Sequence, residues 1–300
     1  MDDYLDMLRS CRLCPRNCGV DRTAGEVGFC GSGPGVKLAK ASLHFWEEPC
    51  ISGTAGSGTV FFSNCNMRCV FCQNHGISQE GCGRETGVDG LARAVENLRA
   101  RGPHNINLVS PTHHTPQIVA ALERSRPLPP IVWNSNSYEN PGVLRVLEGL
   151  VDIYLPDLKY FDDDLASRYS SAPGYFAAAT ASILEMLRQV GPLVLDERGI
   201  ARRGLIIRHL VLPGHVDDSK KVLEWIAGNM PRGVYVSLMS QYVPVHRARE
   251  YPEINRPLTR REYDEIVDHM AALGLEDGYC QDLSSASSGY TPPFDMEGLD

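Results

Sequence analysis

Six apolar segments typical of buried β-strands alternate with helix-like segments between residues 59 and 272. Nearly continuous apolar runs are typical of strands covered on both faces, and the alternation of strand and helix predicts a parallel sheet. Six such units are two short of a complete (β/α)8 barrel. We therefore predict an α/β fold with a partial (β/α)6 barrel, and an open doubly wound sheet is the competing arrangement. The predicted strands are 59–64, 105–110, 131–135, 151–158, 204–212 and 233–240.

Start signals place several helices between these strands. Asn140 and Thr115 each stand before a proline, which combines an N-cap residue with a ring suited to the first helical turn. Thr259 stands three residues before Glu262, the spacing of a capping box. The predicted helices are 90–101, 115–125, 162–170, 175–190 and 218–229, and two more begin at Pro141 and behind Thr259.

Composition limits the classes of protein to consider. The chain has 300 residues, of which 43% are apolar, and a formal net charge of −8. That balance is typical of a globular protein and argues against a broad basic surface for nucleic acid. No apolar run reaches the roughly 18 residues of a membrane helix, and the acidic start lacks the apolar stretch of a signal peptide. We expect a cytoplasmic protein that binds neither membrane nor nucleic acid.

The chain divides into three predicted parts. Residues 1–55 are rich in Cys, Gly and Pro and have too little apolar material to fold without a staple, which favours a small metal-binding module. Residues 56–273 form the predicted barrel. Residues 274–300 contain the stretch SSASSGYTPPF and are predicted to be an irregular extension.

The cysteines indicate a metal centre. Ten are present, and the reducing cytoplasm argues against disulfides. Cys65, Cys69 and Cys72 form a C-x3-C-x2-C motif directly after the first predicted strand. Three thiolates on one loop suit an iron–sulfur cube whose fourth iron has no protein ligand. A zinc site completed by His75 is the competing interpretation, and buried free thiols are a third.

Polar residues follow the predicted strands where each strand ends. The carboxyl ends of parallel strands meet at one edge, where α/β proteins bind their ligands. We therefore predict a pocket at this edge. Its candidate residues are Asn64, Ser110, Asn134, Asp157, Arg208 or His209, and Gln241.

The cysteine motif, with Phe71 before its last cysteine, resembles the radical S-adenosylmethionine (SAM) superfamily. It is most similar to a branch of proteins like the pyruvate formate-lyase activating enzyme that carry an extra N-terminal cysteine cluster. The resemblance implies an oxidoreductase with a [4Fe–4S] cluster on Cys65, Cys69 and Cys72, whose open iron chelates SAM. It implies reductive cleavage of SAM to a 5′-deoxyadenosyl radical that abstracts hydrogen, and a reduced flavodoxin or ferredoxin as electron donor.

Other segments are similar to the same branch. CQN at 72–74 resembles a Cys-His-Asn segment, NSN at 134–136 resembles Asp-Thr-Asn, DLK at 157–159 matches Asp-Leu-Lys, and 208–214 resembles an Arg-x-x-x-x-Pro-Gly segment. A bound SAM carboxylate needs a cation, and its ribose diol needs hydrogen-bonding side chains. The SAM-binding residues that the resemblance implies are Phe71, Asn74, Ser110, Thr112, Asn134, Asn136, Asp157, Lys159 and Arg208.

Two departures separate this chain from the activating enzymes. The second strand lacks the Gly-Gly-Glu that holds the SAM amino group and ends in VSPTHH at 109–114, where Ser110 and Thr112 would have to serve. The family's late Leu-Leu-Pro-Tyr-His stretch is replaced by LMSQY at 238–242. The resemblance therefore carries over SAM binding but not the activase substrate site, and no catalytic residue is assigned.

A second set of cysteines lies near the start of the chain. Cys11, Cys14, Cys18 and Cys30 supply four thiols, enough for a closed zinc site or an auxiliary iron–sulfur cluster. Free or redox-active thiols are the third interpretation.

Three functions are consistent with these patterns. One is a radical SAM enzyme that activates a glycyl radical enzyme, its protein substrate. Another is a radical SAM enzyme acting on a small molecule or peptide. The third is a non-catalytic iron–sulfur or metal-binding adaptor, which the missing Gly-Gly-Glu suggests.

Overall fold

The computed structural model describes residues 5–286 and 292–299. Its ten strands in these ranges join one sheet in the order β10-β9-β8-β6-β5-β4-β2-β1-β3, and β7 pairs with β8 off this path. The strands are β1 (Lys37–His44), β2 (Ser57–Phe62), β3 (Arg84–Glu85), β4 (Ile106–Val109), β5 (Ile131–Ser135), β6 (Ile153–Pro156), β7 (Val194–Leu195), β8 (Ala201–Leu210), β9 (Tyr235–Met239) and β10 (Gly278–Cys280).

Most of this sheet is parallel. Strands β2, β4, β5, β6, β8, β9 and β10 run in one direction, while at one edge β1 runs in the opposite direction and pairs antiparallel with both β2 and β3. The two ends of the strand order do not pair with each other in the described residues. The predicted partial α/β barrel is therefore confirmed, and the sheet is not closed.

Seven of the nine α-helices in the described residues overlap helices that the sequence predicts, whereas the one-turn helices Pro49–Ser52 and His75–Ser78 were not predicted. The α-helices are α1 (Pro49–Ser52), α2 (His75–Ser78), α3 (Gly87–Ala100), α4 (Thr115–Arg124), α5 (Pro141–Leu144), α6 (Asp163–Ser170), α7 (Tyr175–Val190), α8 (Val216–Asn229) and α9 (Arg260–Ala272). All are too short or too polar to span a lipid bilayer.

Side chains alternate between the two faces of the parallel strands. On β5 and β8, Trp133 and Ile207 face the helices, whereas Val132 and Ile206 face the concave side, which we call the lumen. The one-turn helix α1 lies in this lumen, and its Ile51 belongs to the same buried cluster as Val132 and Ile206. Since α1 precedes β2 in the chain, part of the predicted N-terminal module fills the barrel.

Strand β1 was not predicted, because Lys40 interrupts its apolar pattern. The Lys40 side chain is only 5% exposed, and its ammonium group pairs with Asp295 at 2.7 Å and Glu297 at 2.8 Å. The backbone N–H of Ala41 also donates to the Glu297 carbonyl at 2.9 Å. The end of the chain thus covers the β1 strand and supplies the charges that allow a lysine there.

The predicted C-terminal extension contains one short strand, β10, and is otherwise irregular where described. Residues 287–291 of the SSASSGYTPPF stretch lie outside the described residues. Beyond them, the Phe294 ring packs edge-on against Phe61 at 5.4 Å between centroids. The extension therefore reaches the lumen side of the barrel at its carboxyl edge.

Caps at two helix starts agree with the sequence. The Asn140 side chain accepts from the Gly142 N–H, and Thr259 and Glu262 form the reciprocal capping box of α9. At α4 the N-cap is His114 rather than Thr115, because Thr115 is already helical and its hydroxyl donates to the Thr112 carbonyl at 2.8 Å.

Replacing Thr259 by alanine is expected to lower the free energy of unfolding by about 1 kcal/mol, because the Glu262 N–H loses its acceptor. Urea denaturation would show this as a lower midpoint with an unchanged slope. Thr180→Ala is the matched control: its hydroxyl bonds within α7, and alanine has the better helix propensity. An equal loss in both variants contradicts the capping interpretation.

Candidate active site at the carboxyl edge of the sheet

The cysteine triad lies on the loop that follows β2. Asn64 starts this loop with a left-handed backbone (φ +72°), and its N–H donates to the Ile77 carbonyl at 2.8 Å. The loop is then tied to the end of α6, since the Arg68 N–H donates to Ser170 O at 3.0 Å and the Val70 N–H to Tyr169 O at 2.8 Å. These bonds hold the three half-buried cysteines at the ligand-binding edge.

Each of the three sulfur atoms has polar neighbours that can stabilise a thiolate. Asn136 Nδ2 donates to Cys65 Sγ at 3.4 Å, and Ser170 Oγ donates to Cys69 Sγ at 3.0 Å. The Cys72 Sγ and Ser78 Oγ atoms lie 3.3 Å apart. Hydrogen bonds to cluster sulfurs are among the means by which proteins tune iron–sulfur sites.

Burial acts against these thiolates unless a cation is bound. It raises the pKa of Cys65 to about 12 and that of Cys72 to about 11, and the charge of Cys69 adds to both increases. The three thiols are therefore close enough to affect one another. Metal binding displaces thiol protons, so a cationic cluster would offset the cost.

His75 does not converge with the cysteines of the triad. Within the described ranges, no three His, Cys, Asp or Glu side chains converge so as to hold a single metal ion. The His75 ring instead stacks on His246 at 4.4 Å, and its Nδ1 lies 3.2 Å from the Cys72 carbonyl. A cube differs from a single ion because each thiolate binds its own iron, so the sulfurs need not converge on one point. The triad fits a cube better.

A buried charge network lies at the ends of β5, β6 and β8. Arg208 donates from Nε to Asp157 Oδ1 at 2.9 Å and from Nη2 to Asn134 Oδ1 at 2.6 Å. Lys159 Nζ donates to Asp157 Oδ2 at 2.7 Å. Burial alone would raise the pKa of Asp157, but the two cations outweigh it and lower that pKa. Four predicted residues are thus brought together.

The Asn136 side chain binds the cysteine loop. Its Nδ2 donates to Asn66 Oδ1 at 2.9 Å as well as to the Cys65 sulfur, and its Oδ1 accepts from the Tyr138 N–H. This side chain, which the resemblance assigns to SAM binding, therefore supports the loop.

The second strand contributes less than predicted. Thr112 Oγ1 donates to Glu139 Oε1 at 3.0 Å, and the same oxygen accepts from Trp133 Nε1 at 2.9 Å. Since Trp133 faces the helices, Thr112 is directed away from the lumen. Ser110 has a left-handed backbone (φ +56°), and its N–H donates to the Asn134 carbonyl. The structure therefore brings Ser110, but not Thr112, close to the predicted site.

A cavity of about 170 Å³ opens beside this network. Asn74 lines it, as predicted for a cofactor contact, whereas Phe71 is nearly buried and packs near Tyr242 at 5.6 Å. The cavity is smaller than the roughly 300–1,000 Å³ of most small-molecule sites. Its lining residues are His44, Trp46, Glu47, Phe61, Gln73, Asn74, Val109, Asn134, Arg208, Gln241 and Pro292.

Sequence reasoning missed Glu47, which reaches the centre of the network from the segment before α1. Arg208 Nη1 lies 3.2 Å from Glu47 Oε2, and Asn134 Nδ2 donates to Oε1 at 3.2 Å. Glu47 thus adds a second carboxylate to the network from a segment that precedes β2. The sequence signal that could have identified Glu47 is a pair of adjacent glutamates directly before an apolar one-turn helix.

The N-terminal cysteines lie near the triad. Burial raises the pKa of Cys14 to about 12, a hydrogen bond from Asn66 opposes this, and the charges of Cys30 and Cys18 raise it further. Asn66 therefore borders both cysteine sets, because Asn66 Oδ1 also lies 3.8 Å from Cys65 Sγ. Cys11 packs with Leu8, Leu13 and Val143 in an apolar cluster. The second metal site stays a prediction.

Three cysteines follow the first parallel strand of this partial barrel, and a polar network lies beside them. This arrangement defines a class of cluster-binding α/β enzymes. The chain belongs to the radical SAM superfamily, whose family model matches residues 59–226. Membership implies a [4Fe–4S] cluster and SAM, which the sulfur environment fits.

Known proteins similar to this chain include one relative and several solved structures. An uncharacterized protein of Methanocaldococcus jannaschii is 34% identical over 291 residues, covering 93% of this chain and 77% of its own. SAM-bound SuiB of Streptococcus suis has a TM-score of 0.48 at 12% identity, covering 74% of this chain and 50% of its own, so this chain spans half of SuiB. A pyruvate-formate lyase-activating enzyme domain of Bacteroides vulgatus has a TM-score of 0.40 at 12% identity. The match covers 56% of this chain and 92% of that domain.

Proposed function

We propose that this chain is a radical SAM enzyme that cleaves SAM reductively and uses the resulting radical to abstract hydrogen from a small molecule or short peptide. The observation that carries the proposal is the position of Cys65, Cys69 and Cys72 at the carboxyl end of β2, beside the network of Asp157, Lys159 and Arg208. When bound, a [4Fe–4S] cluster with one open iron supplies the electron for that cleavage.

The chain's own residues bind and orient the cofactor in this proposal. The three cysteines hold the cluster, and Asn136 and Ser170 orient two of the sulfurs. One electron and SAM give methionine and the 5′-deoxyadenosyl radical, and hydrogen transfer from substrate gives 5′-deoxyadenosine. A reduced ferredoxin or flavodoxin in a cytoplasmic setting is the proposed electron source.

The filled lumen favours a small substrate. Helix α1 shares a buried apolar cluster with side chains of β5, β6 and β8 and so fills part of the barrel. A folded protein segment would have to displace these side chains. Activation of a glycyl radical enzyme is the second candidate, because Phe45 and Trp46 are 50% and 62% exposed next to the cavity and offer an apolar surface to a partner protein.

Anaerobic reconstitution with iron and sulfide tests the proposal. We expect the loaded protein, given dithionite and SAM, to release 5′-deoxyadenosine and methionine, measured by liquid chromatography. Protein without reductant is the control. An intact cluster that yields no 5′-deoxyadenosine contradicts the enzyme and favours a non-catalytic adaptor. Counting zinc and iron per chain in the same sample determines whether Cys11, Cys14, Cys18 and Cys30 hold zinc, a second cluster or no metal.

A further inference from the structure

Two buried hydroxyl groups connect the cysteine triad to the segment that follows β6. Ser170 is the last residue of α6, and its Oγ donates to Cys69 Sγ at 3.0 Å. Tyr160 lies in the loop between β6 and α6, and its hydroxyl oxygen is 2.7 Å from Ser170 Oγ. Both residues are fully buried. Tyr160, Ser170 and Cys69 therefore form a continuous chain of hydrogen bonds that ends on a sulfur of the triad.

The number of protons in this chain fixes its direction. A serine hydroxyl has one proton to donate, and an ionised sulfur can only accept. Because Ser170 gives its proton to the sulfur, it must accept from the Tyr160 hydroxyl. Burial raises the pKa of Tyr160 well above its ordinary value, and the charge of Cys69 adds to the increase, so the phenol keeps its proton. Within the described residues, Ser170 is the hydrogen-bond partner of this phenol.

Other contacts hold the backbone around the two hydroxyl groups. The Ser170 carbonyl accepts from the Arg68 N–H at 3.0 Å, and the Lys159 N–H donates to the Tyr175 hydroxyl at 3.0 Å. The Tyr160 ring packs edge-on against the Tyr175 ring at 5.6 Å between centroids. None of these contacts uses the Ser170 or Tyr160 hydroxyl. Removing either hydroxyl is therefore expected to leave the cysteine loop in place, so that the effect of the hydrogen bonds can be measured by itself.

A chain of donors that ends on a ligand sulfur acts on the charge that a cluster gains when it is reduced. Hydrogen bonds to the sulfurs are among the factors that set the reduction potential of an iron–sulfur cluster. Each hydrogen bond in a buried chain polarises the next, which strengthens the last one. Reduction adds negative charge and makes the sulfur a better acceptor, so the Ser170 hydrogen bond stabilises the reduced state more than the oxidised state.

We propose that Tyr160 and Ser170 form a hydrogen-bond relay that raises the reduction potential of a [4Fe–4S] cluster bound at the triad. Ser170 contacts the sulfur, and Tyr160 acts through Ser170 as a positioning residue. The relay makes the cluster easier to reduce for the electron donor. The inference deepens the proposed function and rests on it, since the relay matters only to a cluster that accepts an electron.

Potentiometric titration of the reconstituted protein without SAM tests the relay, with the reduced cluster measured by electron paramagnetic resonance. In Ser170→Ala the loss of one hydrogen bond to a charged sulfur is expected to lower the equilibrium constant for reduction about tenfold. For a one-electron couple this is a shift of about 59 mV to lower potential. Tyr160→Phe should shift the potential in the same direction by less, because its hydroxyl acts only through Ser170. Ser170→Thr keeps a hydroxyl and should restore the wild-type potential.

Two buried hydroxyl groups on the helix side of the sheet provide matched controls. Ser182 Oγ donates to the Glu139 carbonyl at 3.1 Å, and the Tyr154 hydroxyl donates to Gln189 Oε1 at 2.6 Å. Ser182→Ala and Tyr154→Phe remove the same groups as the test variants without touching the triad, so their potentials should equal that of wild type. Iron per chain and thermal melting verify that each variant folds and holds its cluster.

The relay is overturned if Ser170→Ala holds a full cluster at the wild-type potential, or if the control variants shift as far as the test variants. If Ser170→Ala loses its cluster, Tyr160→Phe decides, because it leaves the contact between Ser170 and Cys69 intact, and an unchanged potential then refutes the relay. Failure of the proposed function is a separate result, namely a loaded and reduced wild-type protein that forms no 5′-deoxyadenosine from SAM.

Discussion

Cys72→Ala is expected to abolish 5′-deoxyadenosine formation and to remove most of the iron bound at the triad. Cys65 and Cys69 alone leave two irons of the cube without a protein ligand, and the neighbouring Ser78 hydroxyl is a poor substitute for a thiolate. The measurements are product by chromatography, iron per chain, and the cluster absorbance. We expect no product above the level seen without enzyme.

Cys82→Ala is the control for this variant, because Cys82 is exposed and only ten residues further along the chain. It should keep both iron and product. If Cys72→Ala retains a full cluster and forms 5′-deoxyadenosine at the wild-type rate, the triad is not the site and the proposed function fails with it.

Asp157→Asn is expected to lower the free energy of unfolding by about 3–5 kcal/mol, the usual effect of removing one partner from a buried ion pair. The substitution leaves Lys159 without its carboxylate and deprives Arg208 of one of its two. Urea denaturation measures the loss. Asp268→Asn, on the exposed face of α9, should change the midpoint by less than about 0.5 kcal/mol.

The pH dependence of the free energy of unfolding gives a second measure of the Asp157 ion pairs. The folded protein lowers the pKa of Asp157 below the value of about 3.9 in an unfolded chain. The carboxylate therefore contributes stability above pH ~4, and this contribution is lost as pH falls through the lower folded pKa. Acid unfolding of Asp157→Asn should accordingly depend less steeply on pH in this range. Equal acid sensitivity of variant and wild type would show that the ion pair contributes nothing.

Much of the barrel could be predicted because its signals are local. Strand β5 occupies the predicted residues 131–135, and α7 occupies 175–190, since each has an uninterrupted pattern and clear boundaries. The capping box of α9 depends on two residues three apart. The cysteine motif is equally local, and the family match confirms the prediction drawn from it.

The orientation of side chains at the strand ends required the structure. The sequence left Arg208 and His209 as alternatives, and the register of β8 directs Arg208 into the lumen while His209 Nε2 contacts Ser219 on α8 at 2.9 Å. Thr112 seemed equivalent to Ser110, yet it bonds to Glu139 on the helix side. On β8 a shift of one residue reverses the face, and no composition signal marks that choice. Thr112 lies beyond the end of β4, in the short helical turn Thr112–His114, where strand alternation does not set the direction of a side chain.

The sequence by itself determined the alternation of strands and helices, the caps of α5 and α9 and the cysteine triad, because each depends on residues within a few positions of one another. Only the tertiary structure decided that Lys40 lies in a strand and that Glu47 reaches Arg208, 161 positions away. Both are polar groups buried by partners from distant parts of the chain. Burial of a charge is stable only when such partners are present, and the short-range pattern around it does not record them.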